Sequence, residues 1–93
     1  MSVKVRIPAP LRPLTNNLDI IPSEGETLQA IINGLEASYP GLKSRICEDN
    51  GEIRRFVNVY VNGEDVRFLS GLESALKSGD EVSIVPAVAG GAA

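Results

Sequence analysis

The chain is 93 residues long, with 43% hydrophobic residues, one cysteine, no histidine and a formal net charge of −3. A chain of this length builds one hydrophobic core, burying roughly 60–65% of the surface its unfolded form exposes, so one globular domain is expected. Without a basic stripe, a cysteine pair or a histidine, nucleic-acid binding, a disulfide, a structural metal and Ser–His or Cys–His catalysis are set aside.

From the N-terminus, MSVKVRI alternates charged with apolar residues, unlike the apolar block of a signal peptide. No apolar run approaches the roughly 20 residues that cross a bilayer, so a cytoplasmic chain without a membrane partner is expected. Val3, Val5 and Ile7 share one face of a strand, with Lys4 and Arg6 on the other. Pro8, Pro10 and Pro13, followed by Asn16 and Asn17, read as a loop. A short strand over Leu18 to Ile21 should end at Pro22.

Leu28, Ile31, Ile32 and Leu35 fall at i, i+3, i+4 and i+7, which predicts a helix with Thr27 as its N-cap and Pro40-Gly41 as its stop. Gly34 inside it marks a close approach of helix to sheet, since glycine otherwise costs helix stability. Leu42 and Ile46, four apart, make one further helical turn. Cys47 reads as an inert, partly buried packing residue; a reactive thiol is the other reading, for which only Lys43 and Arg45 stand nearby.

Phe56 to Val61 is the strongest strand signal, with Val57, Val59 and Val61 on one face and Phe56, Asn58 and Tyr60 on the other. Asn62-Gly63 turns the chain, and Val66 and Phe68 return briefly. Leu72 and Leu76 are at helical spacing, Ser78-Gly79-Asp80 is a stop, and EVSIVP is a last strand with Val82 and Ile84 facing one way and Ser83 and Val85 the other. This order predicts an α+β sheet with a helix on one face and the first and last strands parallel at its centre.

Those elements, in that order, resemble the ubiquitin-like β-grasp fold: a mixed four- to five-stranded sheet, one main helix packed on one face, a domain over 1–86 and a flexible C-terminal tail over 87–93. VKVRIPAPLRPLT, RFVNVYVNGEDVRF and above all GDEVSIVPAVAGG are similar to the sulfur carrier proteins of the ThiS/MoaD family, and within it to carriers of the CysO type, which supply sulfur for cysteine synthesis. The resemblance covers nearly the whole chain. It implies a protein co-substrate rather than an enzyme. The carboxylate of Gly91, on an arm with Gly90, would be adenylated by an E1-like activating enzyme and attacked by a sulfur donor to give a thiocarboxylate, which passes its sulfur to an acceptor enzyme. ATP would be used by the activating enzyme alone, because no phosphate-cradling glycine loop exists here. Glycine suits such an arm because it lacks Cβ and threads a narrow channel.

Ala92 and Ala93 depart from the mature family pattern, since they leave Gly91 as an amide. The resemblance implies a precursor cut after Gly91 by a zinc-dependent JAMM-type peptidase. Alanines foreign to the natural chain, or a small-residue end read by degradation machinery, are the rival readings. Pro8, Phe56, Tyr60, Val85 and Val88 are the expected partner-binding residues, the first four as an apolar patch on the open sheet face; scattered exposed apolar residues are the bland alternative. No metal is expected, and the free chain should be monomeric. Two other functions stand beside the carrier: a ubiquitin-like modifier joined through Gly91 to lysines, and a β-grasp binding module whose tail is idle.

Overall fold

The computed structural model describes residues 2–86. Five strands form one mixed sheet: β1 (Val3–Arg6), β2 (Ile20–Ser23), β3 (Val57–Val61), β4 (Glu64–Asp65) and β5 (Glu81–Pro86), in the order β2-β1-β5-β3-β4. Strand β5 is central, parallel to β1 and antiparallel to β3. The helices α1 (Leu28–Ser38) and α2 (Leu42–Ile46) lie on one face. Beneath them Val3, Val5, Val59, Val82 and Ile84 from the sheet meet Leu28, Ile31, Ile32 and Leu42 from the helices, all buried.

Local chemistry explains where α1 begins. The Ala30 N–H donates to Thr27 Oγ1 at 3.2 Å, satisfying one of the donors that a helix start leaves open. Another, the Leu28 N–H, goes to the carbonyl of Ser74 at 3.1 Å. That second bond corrects the helix expected around Leu72 and Leu76. Only Gly71–Glu73 forms a 3-10 turn; the chain then extends, bridges Thr27 through Ala75, and donates from Leu76 N–H to the Glu26 carbonyl at 2.9 Å. Backbone donors and acceptors at the start of α1 thereby outweigh local helical spacing. Leu76 still reaches the core and Leu72 packs at its margin.

Three other expectations change. The proline-rich stretch is a 3-10 helix, Ala9–Thr15, rather than a loop, because proline presets the required φ and removes amides that would go unpaired at a helix start. Strand β2 begins two residues late: Asn16 and Asn17 take positive φ, and Thr15 Oγ1 donates to the Leu18 carbonyl at 3.0 Å. It then continues through Pro22 instead of ending there. The Ile7 N–H donates to Asp19 at 2.7 Å, so the alternation of an antiparallel pair points the nitrogen of Pro22 away from β1, toward the open edge where no donor is needed. Gly34 marks no close approach. It is exposed, and a Cβ there would meet nothing within 4 Å.

The Asn62-Gly63 turn has φ of 52° and 88°, the paired positive angles of a tight hairpin. After it only Glu64–Asp65 pairs with β3. Residues Val66–Phe68 tighten into a 3-10 turn in which Val66 is buried and Phe68 is 83% exposed.

Candidate functional site

The alternation along β1, β3 and β5 sends one set of side chains under the helices and the other to the uncovered face. On that face Val85 stands opposite Asn58, and Ser83 stands between Tyr60 on β3 and Arg6 on β1. Val85 is 45% exposed, although it sits on the central strand. Strand β5 runs to Pro86, the last described residue, which pairs with Val57.

Pro8, Val85, Arg6 and Arg12 line one shallow groove of about 300 Å³ beside that strand end. The Pro8–Val85 half of the expected patch is therefore brought together. Tyr60 is half-buried on the same face, across from Ser83. Phe56 lies just before β3 begins, 56% exposed, with the Arg55 guanidinium 5.7 Å from its ring centre. Asn58 separates Phe56 from Tyr60 along the chain, and only Pro8 and Val85 of the four share a groove. Val88, Gly90, Gly91, Ala92 and Ala93 lie outside the described residues.

What surrounds these residues is more polar than the sequence pattern suggests. Arg6 pairs with Glu81 across the face. Arg67 Nη2 donates to the Val57 carbonyl at 2.7 Å and to the Arg54 carbonyl at 3.1 Å, while Nη1 donates to Asn58 Oδ1 at 2.7 Å. This clamp holds the entry of β3 against the 66–68 turn. Nothing in the spacing of Arg67 signals it, because two of its acceptors are main-chain groups ten and thirteen residues away and the third is the Asn58 side chain.

Cys47 is remote from this end. It follows α2, is 3% exposed, and bridges Ile53 through its backbone. Burial raises its thiol pKa, against the smaller opposing pull of Lys43 and Arg54. It is thus fully rather than partly buried, and the packing reading holds. Among the described residues no cluster of three or more His, Cys, Asp or Glu side chains could hold a metal ion, and no helix is long and apolar enough to cross a membrane.

A five-stranded mixed sheet with a central last strand and a helix across one face is the β-grasp arrangement. The chain belongs to the ThiS family, which it matches over residues 5–91, ending on the second glycine. It is 50% identical over 93 residues to the sulfur carrier protein CysO of Mycobacterium tuberculosis, covering 98% of this chain and all of that one. CysO in the crystal structure of the BexX/CysO complex of Amycolatopsis orientalis superimposes with a TM-score of 0.90 at 45% identity, over 96% of this chain and 99% of that one. Small archaeal modifier protein 3 of Haloferax volcanii is 48% identical over 65 residues, 70% of each chain. Sulfur carriers of this type are small protein co-substrates, not enzymes.

Proposed function

We propose that this chain carries sulfur as a thiocarboxylate on Gly91. The observation that supports the reading best is that the family match runs through Gly91 and stops before Ala92-Ala93. In this reading a peptidase of the JAMM type hydrolyses the Gly91–Ala92 amide and frees a carboxylate. An E1-like enzyme joins that carboxylate to AMP, releasing pyrophosphate from ATP. Sulfide, or a persulfide with a reductant, attacks the acyl carbon and AMP leaves, so one oxygen is exchanged for sulfur. The thiocarboxylate is ionised near neutral pH, and its sulfur displaces a leaving group from an electrophilic acceptor bound by a biosynthetic enzyme; hydrolysis at the Gly91 acyl carbon then releases the sulfur-bearing product and returns the carboxylate. Likeness to CysO favours cysteine formation as the destination. The protein itself binds no cofactor and works in the cytoplasm, where ATP and the activating enzyme are found.

The fold suits the task. Strand β5 is held on both sides, by β1 and β3, so the tail begins from the most firmly anchored strand. A solved complex between a similar carrier and a partner enzyme supports docking through a protein surface. On this chain that surface is the open face at the end of β5, with Pro8, Phe56, Tyr60 and Val85 as its apolar contacts and Val88 following them.

Intact-mass measurement of the protein from its own cells, before and after incubation of the lysate with ATP and sulfide, tests the reading. Loss of both alanines followed by replacement of one oxygen by sulfur is expected. A full-length, unchanged mass would reject it. The 48% identity to an archaeal modifier favours one second reading, isopeptide linkage of Gly91 to lysines. Thiol-resistant conjugates on a denaturing gel would identify that outcome.

A further inference from the structure

Arginines stand beside the end of the sheet where β5 finishes, Arg12 in the groove with Val85 and Arg55 just before the Val57–Pro86 pair. The chain holds 12 acidic against 9 basic side chains, yet arginines flank the strand end on both sides. Two of them are matched internally: Arg6 by Glu81, and Arg67 by Asp65 at 3.8 Å. Arg12 and Arg55 have no ion-pair partner among the described residues. Arg12 Nε donates only to the Ile7 carbonyl, at 3.1 Å, and Arg55 lies over the exposed ring of Phe56. Asp19 is the single acid on the wall of the groove that Arg12 shares with Val85.

We propose that Arg12 and Arg55 form a cationic collar around the root of the tail, and that it recognises carboxylates rimming the channel through which the activating enzyme receives that tail. The inference rests on the carrier reading above. Gly91 lies five residue steps beyond Pro86, a span of at most roughly 17 Å in extended chain. An enzyme acting on Gly91 must therefore close to within that distance of the strand end, which sets the mouth of its channel against the collar. Contact excludes water and salt there, so opposite charges on the two rims attract more strongly than exposed pairs do, and at longer range they steer the encounter. The acidic remainder of the surface would repel such a carboxylate rim and so disfavours docking by any other face. Phe56 and Val85 supply the apolar contact inside the ring of charge.

Adenylation is followed by ATP–pyrophosphate exchange with the purified E1-like enzyme and the chain ending at Gly91, at salt from about 0.02 to about 0.5 M. The variants are Arg12→Glu, Arg55→Glu and their double, with Arg45→Glu on α2 as a control of equal charge change. The wild-type KM for the carrier should rise steeply with salt. At low salt the double variant should raise KM about 10- to 100-fold with kcat within about twofold, and its salt dependence should flatten. Arg45→Glu should follow wild type. Arg55→Glu removes no hydrogen bond of the described fold, so it decides the matter alone if Arg12→Glu loosens the 3-10 helix. A wild-type exchange reaction that Arg55→Glu and the double variant leave at the control value overturns the collar and leaves the carrier reading standing. No exchange with wild type overturns both.

Discussion

The Asn62 side-chain amide donates to Asp80 Oδ1 at 3.0 Å and its carbonyl accepts the Glu81 N–H at 2.9 Å. The two residues thereby join the β3–β4 turn to the entry of β5. Asp80 Oδ2 accepts the Lys77 N–H at 2.9 Å, which closes the turn before the strand. These bonds hold the pairing of Val61 with Val82 and of Val59 with Ile84. A slip of one residue would bury Val85 and expose Ile84, so the lock also decides which side chains surround the tail root.

Asp80→Ala should lower stability by about 1–3 kcal/mol at neutral pH, measured by urea unfolding, because it leaves the Lys77 amide and the Asn62 amide without their acceptor. The Asp80 carboxyl is held below its ordinary pKa, first by the Asn62 hydrogen bond and then by the Lys77 amide. A depressed native pKa gives stability that is complete above the unfolded value and is lost as pH falls through the native one. The gap between wild type and Asp80→Ala should therefore be widest near pH 7 and narrow in the acid range below about pH 4.

Cys47 should react with iodoacetamide or a chromogenic disulfide only through opening of the fold. Its burial and raised thiol pKa both keep the thiolate away from reagent at neutral pH. In native buffer the labelling rate should be more than about 100-fold below that in urea, and should track destabilising variants. Fast native labelling would contradict the packing role.

Most of the sheet was legible from alternation alone. Val57, Val59 and Val61, and likewise Val82 and Ile84, could satisfy period two in only one way, and the helical stripe from Leu28 to Leu35 was equally plain. The failures occurred where a distant partner overrides a local pattern. Leu72 and Leu76 have helical spacing, but the segment is drawn out by backbone bonds to Glu26 and Leu28 nearly fifty residues earlier. Gly34 looked like a contact and faces solvent, because absence of a side chain does not tell which neighbour, if any, is close. At the candidate site, Pro8 and Val85 were readable as apolar residues near both strand ends. The charge around them was not, since Arg12 lies in a proline-rich stretch without period and Arg67 finds its acceptors through the fold.

Tyr60→Ala should impair partner-dependent adenylation more than charge reversal at Glu64. Tyr60 stands on the open face opposite Ser83, while Glu64 lies beyond the turn at the far end of β3. An expected rise of about tenfold in KM for Tyr60→Ala corresponds to loss of one partly buried aromatic contact, about 1.4 kcal/mol. Glu64→Lys should remain within about twofold. Equal activation of Tyr60→Ala and wild type would remove Tyr60 from the docking surface.

Stability and docking should separate on the covered face. Thr27 caps α1 by accepting the Ala30 N–H, and its backbone bridges Ala75, so Thr27→Ala removes the cap and keeps the bridge. The expected loss is about 1 kcal/mol, within the range of about 0.5–2 for such caps. Leu28→Ala, one residue later, removes a side chain that is 1% exposed and should cost about 2–5 kcal/mol by leaving a cavity under the helix. Both residues lie on the covered side of the sheet, whereas Val85 and Tyr60 lie on the open one. At a temperature where each variant remains folded, the KM for adenylation should therefore stay at the wild-type value, even though the urea midpoint falls. A KM that rose in step with the loss of stability would mean that the open face depends on how α1 is seated, and the division between a supporting face and a docking face would have to be abandoned.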